Sequence, residues 1–213
     1  MYFALFIGIA LLSWAVSGLL NHRFKEYSQV YLPMTGREVA EKMLRDHGIT
    51  DVKVISTPGH LTDHYDPRNK TVNLSQSVYS SNNVAAAAVA AHECGHAVQH
   101  ACAYAPLKMR SALVPVVNFA SKWLTWVLLG GILLIETFPQ LLLAGIILYG
   151  LTTVFAFVTL PVEMNASKRA ILWLEQAGIT DRQTTPMASA ALRSAAYTYV
   201  VAALSSLGTL IYY

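Results

Sequence analysis

A chain of 213 residues that is 54% hydrophobic and only 13% charged lies far from the quarter-charged composition of soluble domains, which excludes an ordinary water-soluble globule. Its net charge of +3 comes from scattered Lys and Arg without a recognition motif, so no nucleic-acid partner is expected. The two cysteines, Cys94 and Cys102, fall in one predicted helix about 12 Å apart. They are too distant to pair, and fit a reducing compartment or simple apolar packing.

The apolar excess is concentrated in segments. Tyr2 to Leu20 carries no charge and has the length of roughly 20 residues needed to cross hydrocarbon, so residues 1–20 are expected to be a first transmembrane helix. No basic residue precedes it and Asn21, His22, Arg23 and Phe24 offer no small-residue cleavage site, which favours an anchor over a signal peptide. In the polar region that follows, Thr35 and Glu38 have capping-box spacing and Gly48 supplies a stop, predicting a helix from Thr35 to His47. Val52 to Ile55 and Thr71 to Leu74 read as strands, with Asp66, Pro67, Arg68 and Asn69 as turn residues between them, and predict a small β-hairpin or sheet edge. Val84 to Tyr104 is rich in alanine and predicts a helix over 84–104.

Beyond residue 112 the apolar runs return. Residues 113–162 are expected to form a transmembrane hairpin. Its first arm is Pro115 to Ile135, with Lys122 snorkelling from near the entrance. A tight turn follows at Glu136, Thr137, Phe138 and Pro139, and the second arm, Gln140 to Val162, is free of charge. Residues 163–193 are polar again, and 194–213 form a fourth charge-free span ending in the interface-type pair Tyr212 and Tyr213. All 15 Lys and Arg residues lie within 22–122 or 162–193. The positive-inside rule therefore places 21–112 and 163–193 in the cytoplasm and both termini outside. The expected architecture is mainly α with a small β-hairpin or sheet: four transmembrane helices plus a cytoplasmic domain.

His92, Glu93, Cys94, Gly95 and His96 spell H-E-x-x-H inside the predicted helix. Both imidazoles then project from one face about 6 Å apart along the axis, where one Zn²⁺ can accept both. Glu93, turned about 100° from His92, sits beside the metal as a base rather than a ligand. Cys94, turned about 200°, belongs to packing. A third protein ligand is needed, and Glu163 is the candidate, because it follows Pro161 at the cytoplasmic end of the third span, where an unpaired carboxylate beside lipid is costly. His100 extends the histidine face by a further turn. It could be a ligand, a supporting group or a surface histidine, and the last two are favoured because a rise of about 12 Å from His92 exceeds what bonds near 2 Å can gather. Asp63 and Asp66 are accounted for by turn formation.

These segments together resemble the YugP-type neutral zinc metallopeptidases, membrane proteins distantly akin to the HtpX-like proteases. The likeness covers nearly the whole chain. It rests on Leu61-Thr62-Asp63-His64-Tyr65-Asp66-Pro67, on the active helix continuing as Ala97-Val98-Gln99-His100, on Tyr104-Ala105-Pro106-Leu107-Lys108, and on Pro161-Val162-Glu163-Met164-Asn165-Ala166-Ser167. The resemblance implies a cytoplasmic zincin-like metalloprotease domain, with His92, His96 and Glu163 as ligands of one Zn²⁺ per chain and Glu93 as general base. In the HtpX-like relatives the third-ligand motif reads E-x-x-A-D. Ser167 stands at the aspartate position here, so Asn165 or Ser167 is expected to supply the supporting hydrogen bond instead.

The function expected is zinc-dependent endopeptidase activity on membrane-associated or unfolded proteins, in a multi-pass protein of the bacterial cytoplasmic membrane. The partners are then a peptide or protein substrate and the lipid bilayer. The strand at Thr71 to Leu74 is expected to pair with an extended substrate, and His64 or Tyr65 is a candidate oxyanion stabiliser. Two other classes compete, a non-catalytic zinc scaffold and a transporter-like bundle. Glu93 argues against both, since neither needs a base beside an open metal position.

Overall fold

The computed structural model describes residues 2–59 and 61–212. In chain order they form α1 (Tyr2–Tyr27), α2 (Gly36–Asp46), β1 (Lys53–Thr57), β2 (His64–Asp66), β3 (Thr71–Ser75), α3 (Gln76–Tyr79), α4 (Val84–Ala101), α5 (Ala105–Leu133), α6 (Pro139–Gln176) and α7 (Thr184–Tyr212). The chain is therefore mainly helical with one small sheet. Local chemistry starts α2 and α4 where the sequence predicts. Thr35 Oγ1 accepts from the Glu38 amide at 3.3 Å while the Thr35 amide donates to Glu38 Oε2 at 2.8 Å, closing the capping box of α2. Gly48, at φ +69, ends it in a conformation that costs glycine nothing. Asn83 caps α4 by accepting from the Ala86 amide at 2.9 Å.

Helix α4 is the centre of the molecule, packing against α2, α6 and α7. Its alanines are small enough to admit neighbours on every side. The core around them takes Val39, Met43 and Leu44 from α2, Val72 and Leu74 from β3, Leu174 from α6 and Leu192 from α7. Each of these larger aliphatic side chains contributes about 1.5–3 kcal/mol on full burial.

The sheet differs from expectation in its pairing. Val52 to Ile55 and Thr71 to Leu74 do not form a hairpin: β1 runs parallel to β3, and the Asp66-to-Asn69 turn joins β3 to a short strand, β2, absent from the sequence reading. The order is β1-β3-β2. Strand β3 is therefore central, with both edges used by neighbours, and Thr71 to Leu74 is not available to pair with a substrate. The turn itself forms as predicted, with Asp66 Oδ1 accepting from the amides of Arg68 at 2.8 Å and Asn69 at 3.2 Å.

Among the described residues, three helices rather than four are long and apolar enough to cross a membrane, namely α5, α6 and α7. The expected first span, 1–20, lies partly outside the described residues; helix α1 runs from Tyr2 to Tyr27 and lies along α7. The other helices are longer than their apolar runs. Helix α5 starts ten residues before Pro115 and holds that proline inside, α6 continues through Pro161 to Gln176, and α7 begins at Thr184 rather than near Ser194. Thr153 Oγ1 and Ser206 Oγ, 2.7 Å apart, join α6 to α7 by a hydrogen bond between their apolar faces. Tyr213, the second half of the expected tyrosine pair, lies outside the described residues.

Candidate metal centre

The i, i+4 spacing of His92 and His96 puts both rings on one side of α4, with centroids 4.8 Å apart and planes nearly perpendicular. Helix α6 passes that side at a distance set by Gly95. A Cβ there would lie 2.7 Å from the Ala166 carbonyl oxygen, so only glycine admits the two backbones this closely. One turn before Ala166 stands Glu163, 3% exposed. Its Oε2 lies 3.2 Å from His92 Nε2 and 3.5 Å from His96 Nε2.

The surrounding hydrogen bonds orient both rings and fix the tautomer of His96. Gln99 Nε2 donates to the Val162 carbonyl at 2.8 Å and to Asn165 Oδ1 at 3.0 Å, so Gln99 must present its carbonyl oxygen to His96 Nδ1, 3.0 Å away. His96 Nδ1 is therefore the protonated nitrogen and donates, leaving the Nε2 lone pair of the neutral ring aimed at Glu163. On the other ring His92 Nδ1 lies 3.1 Å from Ser167 Oγ, and Nε2 again faces the carboxylate. Arg169 Nε donates to the same Asn165 oxygen at 2.8 Å, which anchors the chain from Arg169 through Asn165 and Gln99 to His96.

Two imidazole nitrogens and a carboxylate oxygen thus converge, with ligand atoms of all three residues within 4.8 Å of one another, a group that could hold a cation. Ligand bonds of 2.0–2.1 Å in a tetrahedron separate ligand atoms by about 3.3–3.4 Å. The two separations to Glu163 Oε2 bracket that value, and two nitrogens with one carboxylate suit Zn²⁺. A proton is the competing occupant. Burial disfavours charge on His96, but the hydrogen bond to Glu163 and the charges of Glu93 and Glu163 outweigh it and hold the His96 pKa above the ordinary histidine value.

A cavity of about 850 Å³ opens over this centre. Glu93, 8% exposed, lines it beside both histidines. His64, Tyr65 and Asp66 of β2 form another part of its wall. Tyr65 OH and His100 Nδ1 are hydrogen-bonded at 2.8 Å. His100 is therefore paired with the β2 wall and stands outside the group of potential ligands. His64 Nδ1 donates to the Thr62 carbonyl at 2.8 Å. Asp63 is engaged elsewhere, accepting from the Ser75 amide at 2.7 Å and the Ser75 hydroxyl at 3.0 Å. Cys94 is buried against α2, its thiol 3.5 Å from the Ala40 carbonyl, and burial pushes its pKa up, which keeps it an inert packing group. Cys102 is exposed and unpaired with Cys94.

Three residues at this site escape the sequence reading: Gln99, Arg110 and Tyr199. Gln99 is fully buried three residues after His96 in a helix otherwise nearly apolar, a pattern that marks a polar group with a fixed partner. Arg110 and Tyr199 come from α5 and α7, and nothing near them in the chain points to a site. Asn165 and Ser167, expected as alternatives, are both used, one toward each histidine.

Compared with known proteins, residues 2–213 match the model of a family described as "Putative neutral zinc metallopeptidase". The chain is 42% identical over 190 residues, 88% of its own length and 84% of the other chain, to a Bacillus subtilis (strain 168) protein named "Putative membrane protease YugP". No solved structure matches it.

Proposed function

We propose, on the premise that this chain belongs to the neutral zinc metallopeptidase family, that it is a membrane-embedded endopeptidase whose one Zn²⁺ is held by His92, His96 and Glu163. The observation that carries this reading is the convergence of two imidazole Nε2 atoms and one buried carboxylate within reach of a single ion. Bound there, Zn²⁺ would supply Lewis-acid polarisation of the scissile carbonyl and lower the pKa of water. Glu93 would take a proton from the attacking water and pass it to the leaving amine, so no covalent intermediate is required. Gln99 and Ser167 hold the two imidazoles in the orientation that the metal needs.

Among the described residues β2 is paired on one side only and borders the cavity, so its outer edge, rather than β3, is suited to take an extended substrate by backbone pairing. His64 and Tyr65 on that strand are the candidates to stabilise the oxyanion. The substrate class is a membrane-associated or unfolded protein.

The Lys and Arg distribution supports a cytoplasmic site in a multi-pass protein of the bacterial cytoplasmic membrane. Residues 21–112 and 163–193 then form the cytoplasmic part, with 113–162 as the membrane hairpin. Substituting Glu93→Gln separates the roles. The variant should retain zinc at wild-type stoichiometry and lose hydrolysis of an unfolded casein by at least about 100-fold. Undiminished cleavage by a zinc-loaded variant would remove Glu93 from the reaction.

A further inference from the structure

The two carboxylate oxygens of Glu163 have different partners. Oε2 faces the histidine nitrogens at 3.2 and 3.5 Å, whereas Oε1 faces Arg110 Nη1 at 3.3 Å. Arg110 comes from α5, a helix that supplies none of the three potential ligands, and it lines the cavity beside them. A cation next to a metal-binding carboxylate weakens the carboxylate's hold on a metal by charge alone, so its presence calls for a compensating role.

Carboxylates bind metals through one oxygen or through both. If both Glu163 oxygens reached the metal, they would fill a position that a catalytic zinc site keeps open. A guanidinium nitrogen 3.3 Å from Oε1 opposes this, because its fixed positive charge and N–H donors compete with a metal for that oxygen. We infer that Arg110 is a positioning residue that keeps Glu163 monodentate and so preserves the open coordination position. This rests on the reading of His92, His96 and Glu163 as ligands.

The test uses the full-length protein in detergent with Co²⁺ in place of Zn²⁺, since the intensity of cobalt's visible bands distinguishes four from five ligands. Arg110→Met keeps a stem of similar length without donors. Its bands should weaken toward the five-coordinate form, and kcat for casein in the zinc-loaded variant should fall about 10–100-fold while KM stays within a few-fold. Arg110→Lys should recover part of both, since it restores the charge but not the fork. A folded Met variant with the wild-type cobalt spectrum overturns the inference, as does a loss confined to KM, which would make Arg110 a substrate contact. If the Met variant does not fold, Arg110→Gln takes its place with the same outcomes. Failure of the wild type to take up either metal overturns the ligand set instead, a result distinct from an unchanged variant spectrum.

Discussion

Replacing Gly95 with alanine tests whether the spacing of α4 and α6 sets the metal site. The added methyl would lie 2.7 Å from the Ala166 carbonyl oxygen and 3.2 Å from its Cα, and neither atom belongs to a side chain that can rotate away. Reaching ordinary contact at 3.4 Å requires about 0.7 Å of separation between the helices. Glu163 lies one turn from Ala166 on the same helix and moves with it. Metal–ligand distances tolerate only about 0.2 Å, so the displacement exceeds the tolerance roughly threefold. Zinc affinity should fall about 10–100-fold, or ~1.4–2.7 kcal/mol. Overpacking of about 1–3 kcal/mol is set against a helix-propensity gain of ~1 kcal/mol, leaving a smaller loss of stability. Competition titration against a chromophoric chelator reads the affinity, and thermal unfolding reads the stability. Gly18→Ala is the control, since nothing lies within 4 Å of its Cβ position. Wild-type zinc affinity in folded Gly95→Ala would show that the helix spacing does not govern the site.

Other perturbations probe the remaining parts. Glu163→Gln should lose zinc on dialysis against a mild chelator and lose hydrolysis with it, whereas Glu136→Gln, about 40 Å along α6 and its turn from the site, should lose neither; the reverse pattern would relocate the third ligand. For pH, the pKa of His96 is raised, against the opposing effect of burial, by its hydrogen bond to Glu163 and the nearby carboxylates. In metal-free protein its contribution to stability is complete below the unfolded value of about 6.5 and is lost as pH rises through the higher folded value. The metal-free form should therefore gain melting temperature between pH 8 and 6. The zinc-loaded form should lose it over the same interval, because the metal needs the neutral ring, and parallel behaviour of the two forms would contradict the assignment. Sidedness can be read from cysteines placed at Thr137 and Asn69 in a protein lacking Cys94 and Cys102. An impermeant reagent added outside should label the first and not the second, and equal labelling would refute the membrane orientation.

The parts of the molecule legible in the sequence are those written in local chemistry. Thr35 with Glu38, Asn83 before a run of alanines, and His92 with His96 four residues on each state a helix start or a shared face within one or two turns. Two of the three strands are legible, but their pairing is not, because β1 pairs in parallel with β3 although β2 lies between them in the chain, and parallel register leaves no turn signature. Pro161 marked an end only in the sequence. In the fold its missing amide removes one hydrogen bond of a 38-residue helix whose packing on both sides carries it past the gap. Gln99 could not be given a role from its neighbours, since its two acceptors lie 63 and 66 residues away. Arg110 was hidden for the same reason, 53 residues before the carboxylate it meets.

Helix α6 also acts as a ruler. The residue that reaches toward the metal and the segment read as crossing the bilayer belong to one uninterrupted rod, so no flexible tether decides how far the chemistry stands from the lipid. From Pro139 to Glu163 the rod measures about 36 Å, against about 30 Å of hydrocarbon. The difference is the length of roughly two extended residues. On the proposed function, a polypeptide anchored in the same membrane would meet the cutting position almost as soon as it leaves the lipid, whereas one whose sensitive bond lies far along a folded domain would have to be drawn back toward the surface before it could be reached.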